Sequence, residues 1–408
     1  MTERGVMMAQ KPVILQLLPA LGIGGLERGA VDMAEAINQA GGRALVAAER
    51  GALVSRLRYV GGEHVEMAFH KRVSLRYFFS RVAMLRRLIR QEGVSLVHAR
   101  SRYPALVAAV ACRKENIPLV TTWHGDHQAR FWLKKWYNSG LVRGQRVIAV
   151  SEHIGERLRK EYRVGEDRLR VIPRGSDPAV FALEAVHGSQ MHTLLERWRV
   201  GDESRIILMP GRLTRWKGQE CLIEALGYLA VHHPEQEWIC VMVGPGEERP
   251  YAQMLQKLAE ERGIASRLRF AGVCHDMAAA YKLAHIVVVP SLRPEPFGRV
   301  PVEAQMMGRW VIGSARGGLK ETIHHGETGT LVPAGDSRAL AMALREVLDV
   351  PPELMAERQD EIRAHALARY TKQHMQQATL GVYDELLSSH LQEAFIRFHQ
   401  ERDVEHEA

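Results

Sequence analysis

Short apolar runs rich in β-branched residues alternate with longer segments of helical periodicity along almost the whole chain. Strands that are apolar on both faces are typical of parallel sheets covered by helices on each side. The pattern therefore predicts an α/β fold with doubly wound sheets. The strands predicted in the first half are Val13–Leu18, Ala44–Ala48, Ser95–His98, Pro118–Thr122, Arg146–Val150 and Arg170–Ile172.

A Pro-Arg-Gly break at residues 173–175 divides this series of strands from a second series of the same kind. The strands predicted in the second half are Arg205–Met209, Trp238–Val243, Leu268–Ala271, Ile286–Val289, Trp310–Gly313 and Gly329–Val332. A chain of 408 residues is long enough to bury two cores. We therefore expect two Rossmann-like domains, at residues 1–180 and 186–370. The polar tail, about residues 351–405, should pack outside as helices.

The net charge of +8 is distributed unevenly along the chain. Residues 1–185 contain 30 Lys and Arg against 17 Asp and Glu, whereas residues 186–408 contain 25 against 30. Within the first half, residues 71–146 contain 16 basic and 3 acidic residues. This excess indicates an anionic partner, either a nucleic acid or an anionic membrane or phosphorylated lipid. A solvated basic face without a partner is the alternative.

The sequence offers no apolar run of signal-peptide length before the first predicted strand, and no stretch of about 20 apolar residues later. We therefore expect a cytoplasmic protein.

Two segments of the first half place reactive or flexible groups at strand ends, where open α/β sheets bind ligands. Gly24 and Gly25 follow the first strand, and their backbone can approach a phosphate at the start of the next helix. A tight turn explains them equally well, because Glu27 stands where a dinucleotide fingerprint needs glycine. His124 follows the fourth strand, where it is either a catalytic residue or a hydrogen-bonded loop residue.

The second half carries two charged segments at the corresponding positions. Arg212 and Lys217 follow its first strand, and two such cations can stabilise a leaving diphosphate as its charge develops. Glu295 and Glu303 follow the strand Ile286–Val289, with seven residues between them. Glu303 can accept ribose hydroxyls from the first turns of a helix, and Glu295 would lie nearer the sugar. The alternative is surface charges beside a helix start.

Together these motifs resemble glycosyltransferase family 4, which has the two-domain GT-B fold. The likeness covers most of the chain and rests on the combination of motifs. The motifs that carry the likeness are Gly24-Gly25, His124-Gly125, Gly211-Arg212, Lys217-Gly218, Glu295-x7-Glu303, Val150-Ser151, Val171-Ile172-Pro173, Val243-Gly244-Pro245-Gly246-Glu247 and Gly317-Gly318-Leu319-Lys320-Glu321-Thr322. Arg174-Gly175 stands where many relatives have Asn-Gly.

The resemblance implies a role for each of these residues in a cleft between the two facing domains. Arg212 and Lys217 would hold the diphosphate of a nucleotide sugar, Glu303 its ribose and Glu295 the hydroxyls of the transferred sugar. The remaining expected site residues are Phe297, Gly298, Arg299 and Val300, whose backbone completes the donor site, Gly24 and Gly25 near the phosphates or sugar, and His124 at the reacting centre.

The resemblance also implies a retaining reaction by front-face transfer. The leaving phosphate itself helps to deprotonate the acceptor, so no dedicated protein base is needed. Because the sequence has no Asp-x-Asp motif, we expect no metal and no cofactor. A C-terminal helix within about residues 372–400 should cross back to the first domain.

Two segments predict where the acceptor lies. Residues 71–91 have helical apolar spacing flanked by Lys and Arg, which suits a helix lying in a membrane interface or simply one that covers the domain core. Residues 131–137, FWLKKWY, mix aromatic and basic side chains just after His124. We therefore expect a lipid-linked acceptor, such as a lipopolysaccharide-core intermediate, and peripheral attachment to the inner face of the cell membrane.

Two other functions are also compatible with the sequence. An NAD-dependent oxidoreductase would use the glycine-rich turn and Glu49, but it leaves the charged segments of the second half unexplained. A non-catalytic protein that binds nucleotide sugars is the second alternative, because a fold alone does not establish activity. We expect no nucleic-acid partner, because the basic segment has no recognisable groove-reading motif or stacking platform.

Overall fold

The computed structural model describes residues 11–69, 74–127, 131–246 and 250–407. Contacts divide the chain into two compact units. Unit 1 comprises residues 1–173 and 373–408, and unit 2 comprises residues 174–372. Each unit is built on one parallel sheet.

Unit 1 contains a parallel sheet of seven strands among its described residues, in the order β3-β2-β1-β4-β5-β6-β7. Its strands are β1 Val13–Ala20, β2 Arg43–Glu49, β3 Glu63–Glu66, β4 Leu96–Ala99, β5 Leu119–Trp123, β6 Arg146–Ala149 and β7 Leu169–Val171. Its helices before the break are α1 Gly25–Gln39, α2 Val54–Tyr59, α3 Leu75–Gln91, α4 Arg102–Glu115, α5 Trp132–Asn138 and α6 Glu152–Tyr162.

Unit 2 contains a parallel sheet of six strands among its described residues, in the order β10-β9-β8-β11-β12-β13. Its strands are β8 Ile206–Pro210, β9 Ile239–Val243, β10 Leu268–Phe270, β11 Ile286–Val289, β12 Trp310–Ser314 and β13 Gly329–Val332. Its helices are α7 Gly188–Trp198, α8 Gln219–His232, α9 Pro250–Glu261, α10 Met277–Leu283, α11 Arg299–Met306, α12 Leu319–Thr322, α13 Ser337–Leu348 and α14 Pro352–Arg369.

The predicted α/β class with two doubly wound sheets is confirmed. The twelve predicted strands agree with the observed ones to within one or two residues at each end. The sequence analysis missed β3, a short edge strand. Its side chains are half-exposed or exposed, so it lacks the continuous apolar run of a buried parallel strand. No helix among the described residues has the length and apolar character needed to cross a bilayer.

The C-terminal tail was expected to form helices on the outside, with one helix within about residues 372–400 that returns to the first domain, and the segment after residue 371 differs in being broken in two. It forms two helices, α15 Lys372–Leu387 and α16 Leu391–Glu407. The break comes at Ser388, whose φ is 51°, and the carboxylate of Asp384 accepts hydrogen bonds from the backbone N–H groups of Leu391 and Gln392. Tyr383 is fully buried, and α15 and α16 contribute apolar side chains to the unit 1 core.

Candidate functional site

The strand order reverses once in each sheet, between β1 and β4 in unit 1 and between β8 and β11 in unit 2. Ligands of open α/β sheets bind beyond the carboxyl ends of the strands at such a reversal. In unit 2, Arg212 and Lys217 lie in the loop after β8, and Glu295 lies in the loop after β11. The charged residues of unit 2 therefore flank its switch point.

The loop after β8 is fixed to the loop after β11 by backbone contacts. Gly218 has a φ of 83°, and a β-carbon there would overlap the Pro290 carbonyl oxygen, so only glycine fits. The backbone N–H of Leu292 donates to the carbonyl oxygen of Trp216 at 2.8 Å. These contacts set the position of the intervening Lys217.

Lys217 and Glu295 form a largely buried ion pair. The Nζ of Lys217 lies 2.6 Å from Oε1 of Glu295, and the side chains are 16% and 11% exposed. The hydroxyl of Ser291, which is fully buried, donates to the same oxygen at 2.7 Å. Among the described residues no hydrogen bond to Oε2 of Glu295 is found, so this oxygen keeps its capacity to accept one.

Arg212 lies in the same loop, but its guanidinium is exposed and pairs with no group in the described part of the chain. Its backbone carbonyl accepts a hydrogen bond from Nε2 of the buried Gln219 at 3.0 Å. The backbone of Arg212 is therefore anchored while its charge points to solvent. Such a cation can bind a phosphate without first breaking an ion pair.

Glu303 lies on α11, where its carboxylate is held at both oxygens. Nη2 of Arg299, one turn earlier, donates to Oε1 at 2.8 Å, and the hydroxyl of Tyr281 on α10 donates to Oε2 at 3.1 Å. Val300 lies in the first turn of α11 beside Arg299. Glu303 is therefore oriented before any ligand binds.

The segment before α11 is supported by the loop after β12. Gly298 has a φ of 99° and precedes α11, and Phe297 is buried with its ring edge-on to Tyr370 at 5.6 Å. The N–H of Gly318 donates to the carbonyl oxygen of Glu295 at 2.8 Å. A β-carbon at Gly318 would overlap the backbone of Phe297. Glycine at 318 is therefore required for this close contact.

In unit 1, Gly24 and Gly25 lie at the start of α1. Gly24 is the N-terminal cap residue of α1, in an extended conformation, and as glycine it has no side chain to cap the first backbone N–H groups. The carboxylate of Glu27 folds back so closely that a β-carbon at Gly24 would overlap it. The glycine therefore allows a carboxylate to lie beside the positive end of the helix.

His124 directly follows β5 and is half-buried. The loop that carries it is held by its neighbours: Nε1 of Trp123 donates to the Gly125 carbonyl oxygen at 2.7 Å, and Arg157 pairs with Asp126. Burial, reinforced by nearby arginines, lowers the pKa of His127 to about 4, so this second histidine is neutral at pH 7. The loop presents His124 at the carboxyl edge of the sheet.

Two side chains of the unit 2 site were not singled out from the sequence. Ser291 follows β11 by two residues, and its place at a strand end is a signal that could have identified it. Tyr281 is an aromatic residue within an apolar helix, and nothing in the sequence distinguishes it from ordinary core. Glu247, which forms part of the family resemblance, lies outside the described residues.

Two family models match the chain and together span most of it. Residues 192–368 match the family described as "Glycosyl transferases group 1", and residues 23–180 match "Glycosyltransferase Family 4".

Curated relatives carry names from the same class of enzyme. A D-inositol 3-phosphate glycosyltransferase of Catenulispora acidiphila is 28% identical over 292 residues, which are 67% of each protein. The protein of that name from Corynebacterium glutamicum is 32% identical over 215 residues, 51% of this chain. That alignment spans 50% of the relative's own length.

Solved structures with the same fold extend over nearly the whole chain. A glycosyltransferase of Rickettsia africae has a TM-score of 0.86 and 29% identity, covering 94% of this chain and all of its own. HepE of Anabaena, solved in complex with UDP, has a TM-score of 0.78 and 24% identity, covering 92% of this chain and all of its own. WaaG, a glycosyltransferase involved in lipopolysaccharide biosynthesis, has a TM-score of 0.70 and 15% identity, covering 92% of this chain and all of its own.

Proposed function

We propose that this chain, which belongs to the glycosyltransferases of the GT-B fold, transfers a sugar from a nucleoside-diphosphate sugar to a hydroxyl of a lipid-linked acceptor. The matches to glycosyltransferase models and relatives support a transferase and favour it over the NAD-dependent oxidoreductase. The donor, the stereochemistry and the acceptor are our proposals. The observation that carries the donor is the largely buried Lys217–Glu295 pair at the switch point of unit 2, with one carboxylate oxygen left open.

The chemistry of these groups suits a nucleoside diphosphate as the leaving group. When the bond between the anomeric carbon and the diphosphate oxygen breaks, its electron pair stays on the diphosphate. We assign Arg212 and Lys217 to this developing charge, because fixed cations stabilise it more in the transition state than in the ground state. Glu303 would accept hydrogen bonds from the ribose, and Oε2 of Glu295 from the transferred sugar. The UDP and UDP-glucose complexes of HepE support this class of donor.

The proposed transfer retains the configuration of the sugar. The acceptor oxygen bonds to the anomeric carbon on the face that the diphosphate leaves, and the acceptor proton passes to a diphosphate oxygen. His124, Gly24 and Gly25 keep the roles that the family resemblance gives them, beside the sugar and the phosphates. Because Arg212 and Lys217 supply positive charge at the leaving group, we propose that the reaction proceeds without a divalent ion.

An exposed group of aromatic and basic side chains on unit 1 supports a lipid surface near the acceptor. Phe131 and Trp132 are 73% and 76% exposed, and Trp136 is also exposed. Lys134 and Lys135 lie among them on α5. Large apolar side chains interleaved with cations are typical of segments that insert into the headgroup region of a bilayer.

Helix α3 contributes less to such a surface than its sequence predicts. Its later apolar side chains, including Val82 and Leu85, are buried. The C-terminal half of the apolar face of α3 therefore packs on the domain and is not available to a membrane. Arg86 and Arg90 both pair with Glu115 of α4, at 2.6 and 2.8 Å. These guanidinium groups lower the pKa of Glu115 to about 2, so the pairs persist at neutral pH. Lys71 and Arg72 lie outside the described residues.

The first turns of α3 remain available, because Leu75 and Phe79 are 78% and 59% exposed. Aromatic contacts place these turns and α5 at the same end of α4. Tyr103 of α4 stacks on Tyr77 of α3 at 6.3 Å, while Arg102 of α4 lies over the ring of Tyr137 in α5 at 5.1 Å. We therefore name the exposed side chains of residues 75–79 and 131–136 the apolar-basic patch.

Our proposal is that the apolar-basic patch attaches the enzyme to the inner face of an anionic membrane that holds the acceptor. Each cation near such a surface contributes about 1 kcal/mol, so the attachment should be reversible and salt-sensitive. The name of the curated relatives suggests a second acceptor class, a soluble phosphorylated polyol. The two classes share phosphate groups but differ in their need for a lipid surface.

Donor recognition can be tested with a panel of nucleotide sugars, scored by thermal stabilisation and by slow hydrolysis. We expect at least one to raise the melting temperature and to release nucleoside diphosphate. A folded protein that responds to none of them would refute the proposed donor.

Liposome co-sedimentation tests the proposed acceptor surface. Binding should require anionic lipid, fall at high salt and weaken in the double variant Lys134→Glu/Lys135→Glu. The matched control reverses two exposed charges of unit 1 on α16, which packs against α1: Arg397→Glu/Arg402→Glu should bind like the wild type. Equal binding to neutral vesicles, or an equal loss in both variants, would contradict the patch. Transfer to inositol phosphate at the same rate with and without vesicles would favour the soluble acceptor.

A further inference from the structure

The carboxylate of Glu303 has two hydrogen-bond positions filled and two left open. An ionised carboxylate has about four lone-pair positions, two on each oxygen. Arg299 occupies one on Oε1, and Tyr281 occupies one on Oε2. Among the described residues no other donor to either oxygen is found. One acceptor position therefore remains on each oxygen, on a carboxylate whose plane is fixed.

This arrangement matches a pair of neighbouring hydroxyl groups. We propose that Tyr281 is a positioning residue that, together with Arg299, holds Glu303 as a two-point acceptor for the vicinal 2′- and 3′-hydroxyls of the donor ribose. The inference rests on the proposed function, because it takes the ligand to be a nucleoside diphosphate. It adds Tyr281 to the site as the residue that, together with Arg299, fixes the carboxylate of Glu303.

The hydroxyl of Tyr281 is suited to a fixed donor role. The residue is fully buried on α10, and its ring lies 6.0 Å from that of Phe181, so it cannot turn away from Glu303 without disturbing the core. Burial and the neighbouring carboxylate raise the pKa of Tyr281 well above its ordinary value. The hydroxyl therefore keeps its proton and donates throughout the neutral range.

The hydroxyl and the ring of Tyr281 serve separate purposes. The ring fills space in the core, and phenylalanine at this position would fill the same space. The hydroxyl makes its hydrogen bond to Glu303. Tyr281→Phe therefore removes the contact with the carboxylate and retains the packing.

The experiment measures dissociation constants of UDP, 2′-deoxy-UDP and 3′-deoxy-UDP by calorimetry. Wild type should bind UDP at least about tenfold more tightly than either deoxy form, because the missing hydroxyl leaves one acceptor position of Glu303 without a hydrogen bond. Tyr281→Phe should weaken UDP binding about five- to tenfold and leave binding of the deoxy forms within about twofold, so the preference for ribose falls. Arg299→Gln, at a half-buried position, should reduce the same preference.

Tyr228→Phe is the matched control, because Tyr228 on α8 packs against the core of the same unit and its ring lies 4.1 Å from that of His232. It should keep the wild-type constants for all three nucleotides. The inference is overturned if Tyr281→Phe and Arg299→Gln keep the wild-type ratio of UDP to deoxy-UDP, or weaken all three equally. A wild-type protein that binds none of UDP, GDP and ADP refutes the proposed function itself.

Discussion

Replacing Lys217 with methionine removes a cation that neutralises Glu295 in a largely buried pair. Loss of one partner of a fully buried pair costs about 3–5 kcal/mol, because the other charge is left without compensation. Here the hydroxyl of Ser291 still donates to Glu295. We therefore expect the free energy of unfolding to fall by about 1–3 kcal/mol, the usual cost of an unsatisfied buried polar group.

The same substitution should reduce catalysis far more than it reduces stability. A cation aimed at a leaving diphosphate acts mainly in the transition state, and removing one such group typically lowers kcat about 10²- to 10³-fold. The affinity for the donor should change less, because the ground state carries less of the developing charge.

A second substitution separates these two effects. In Lys217→Met/Glu295→Gln the buried carboxylate is replaced by a neutral amide, so most of the lost stability should return. Activity should not return, since the cation is still missing. The control is Arg262→Met, which breaks the exposed pair of Arg262 and Glu224 in the same unit. It should cost at most about 1 kcal/mol and leave kcat unchanged.

Urea unfolding gives the stability of each variant, and release of nucleoside diphosphate gives its kcat. If Lys217→Met lost stability but kept kcat within threefold of wild type, the pair would be structural and its catalytic role would be wrong. Recovery of activity in the double variant would likewise contradict a catalytic role for the Lys217 cation.

Three further predictions concern the donor site, metals and pH. Arg212→Ala and Glu303→Gln should each weaken donor binding by about 1.5–3 kcal/mol, and wild-type kinetics in both would refute the donor site. EDTA should leave activity intact, and a full loss restored by a divalent ion would contradict the metal-free proposal. Burial lowers the pKa of His98 well below 6.5, so the unfolded chain binds more protons below that pH. Wild type should therefore lose about 1 kcal/mol more stability than His98→Asn between pH 7 and 5.5, measured by urea unfolding, and equal slopes would contradict this.

The strands that could be predicted are the apolar ones, because burial on both faces leaves a continuous hydrophobic run. Strand β3 carries the sequence Glu-His-Val-Glu at a sheet edge, where one side is open to water, and so gives no such run. The end of α15 was missed for a related reason. Its break depends on Asp384 capping the next helix, a local contact that an apolar pattern does not record.

The charged members of the candidate site could be proposed because they follow strands, and a parallel sheet gathers strand ends at one edge. Their partners could not be proposed in this way. The contact of Tyr281 with Glu303 joins two helices, and the pairing of Arg86 with Glu115 joins residues 29 positions apart. The second pairing neutralises one of the cations that the sequence analysis assigned to a membrane-facing helix.

Transfer to a lipid-linked acceptor is measured most directly by following a labelled sugar from its nucleotide donor into lipid. The donor that stabilises the purified protein is incubated with vesicles that contain a bacterial glycolipid acceptor, and the organic extract is counted. We expect label to enter the lipid with release of one nucleoside diphosphate per sugar, and Lys217→Met to reduce this rate at least about 10²-fold. Absence of label from the lipid, with a folded protein and a bound donor, would contradict transfer to a lipid-linked acceptor.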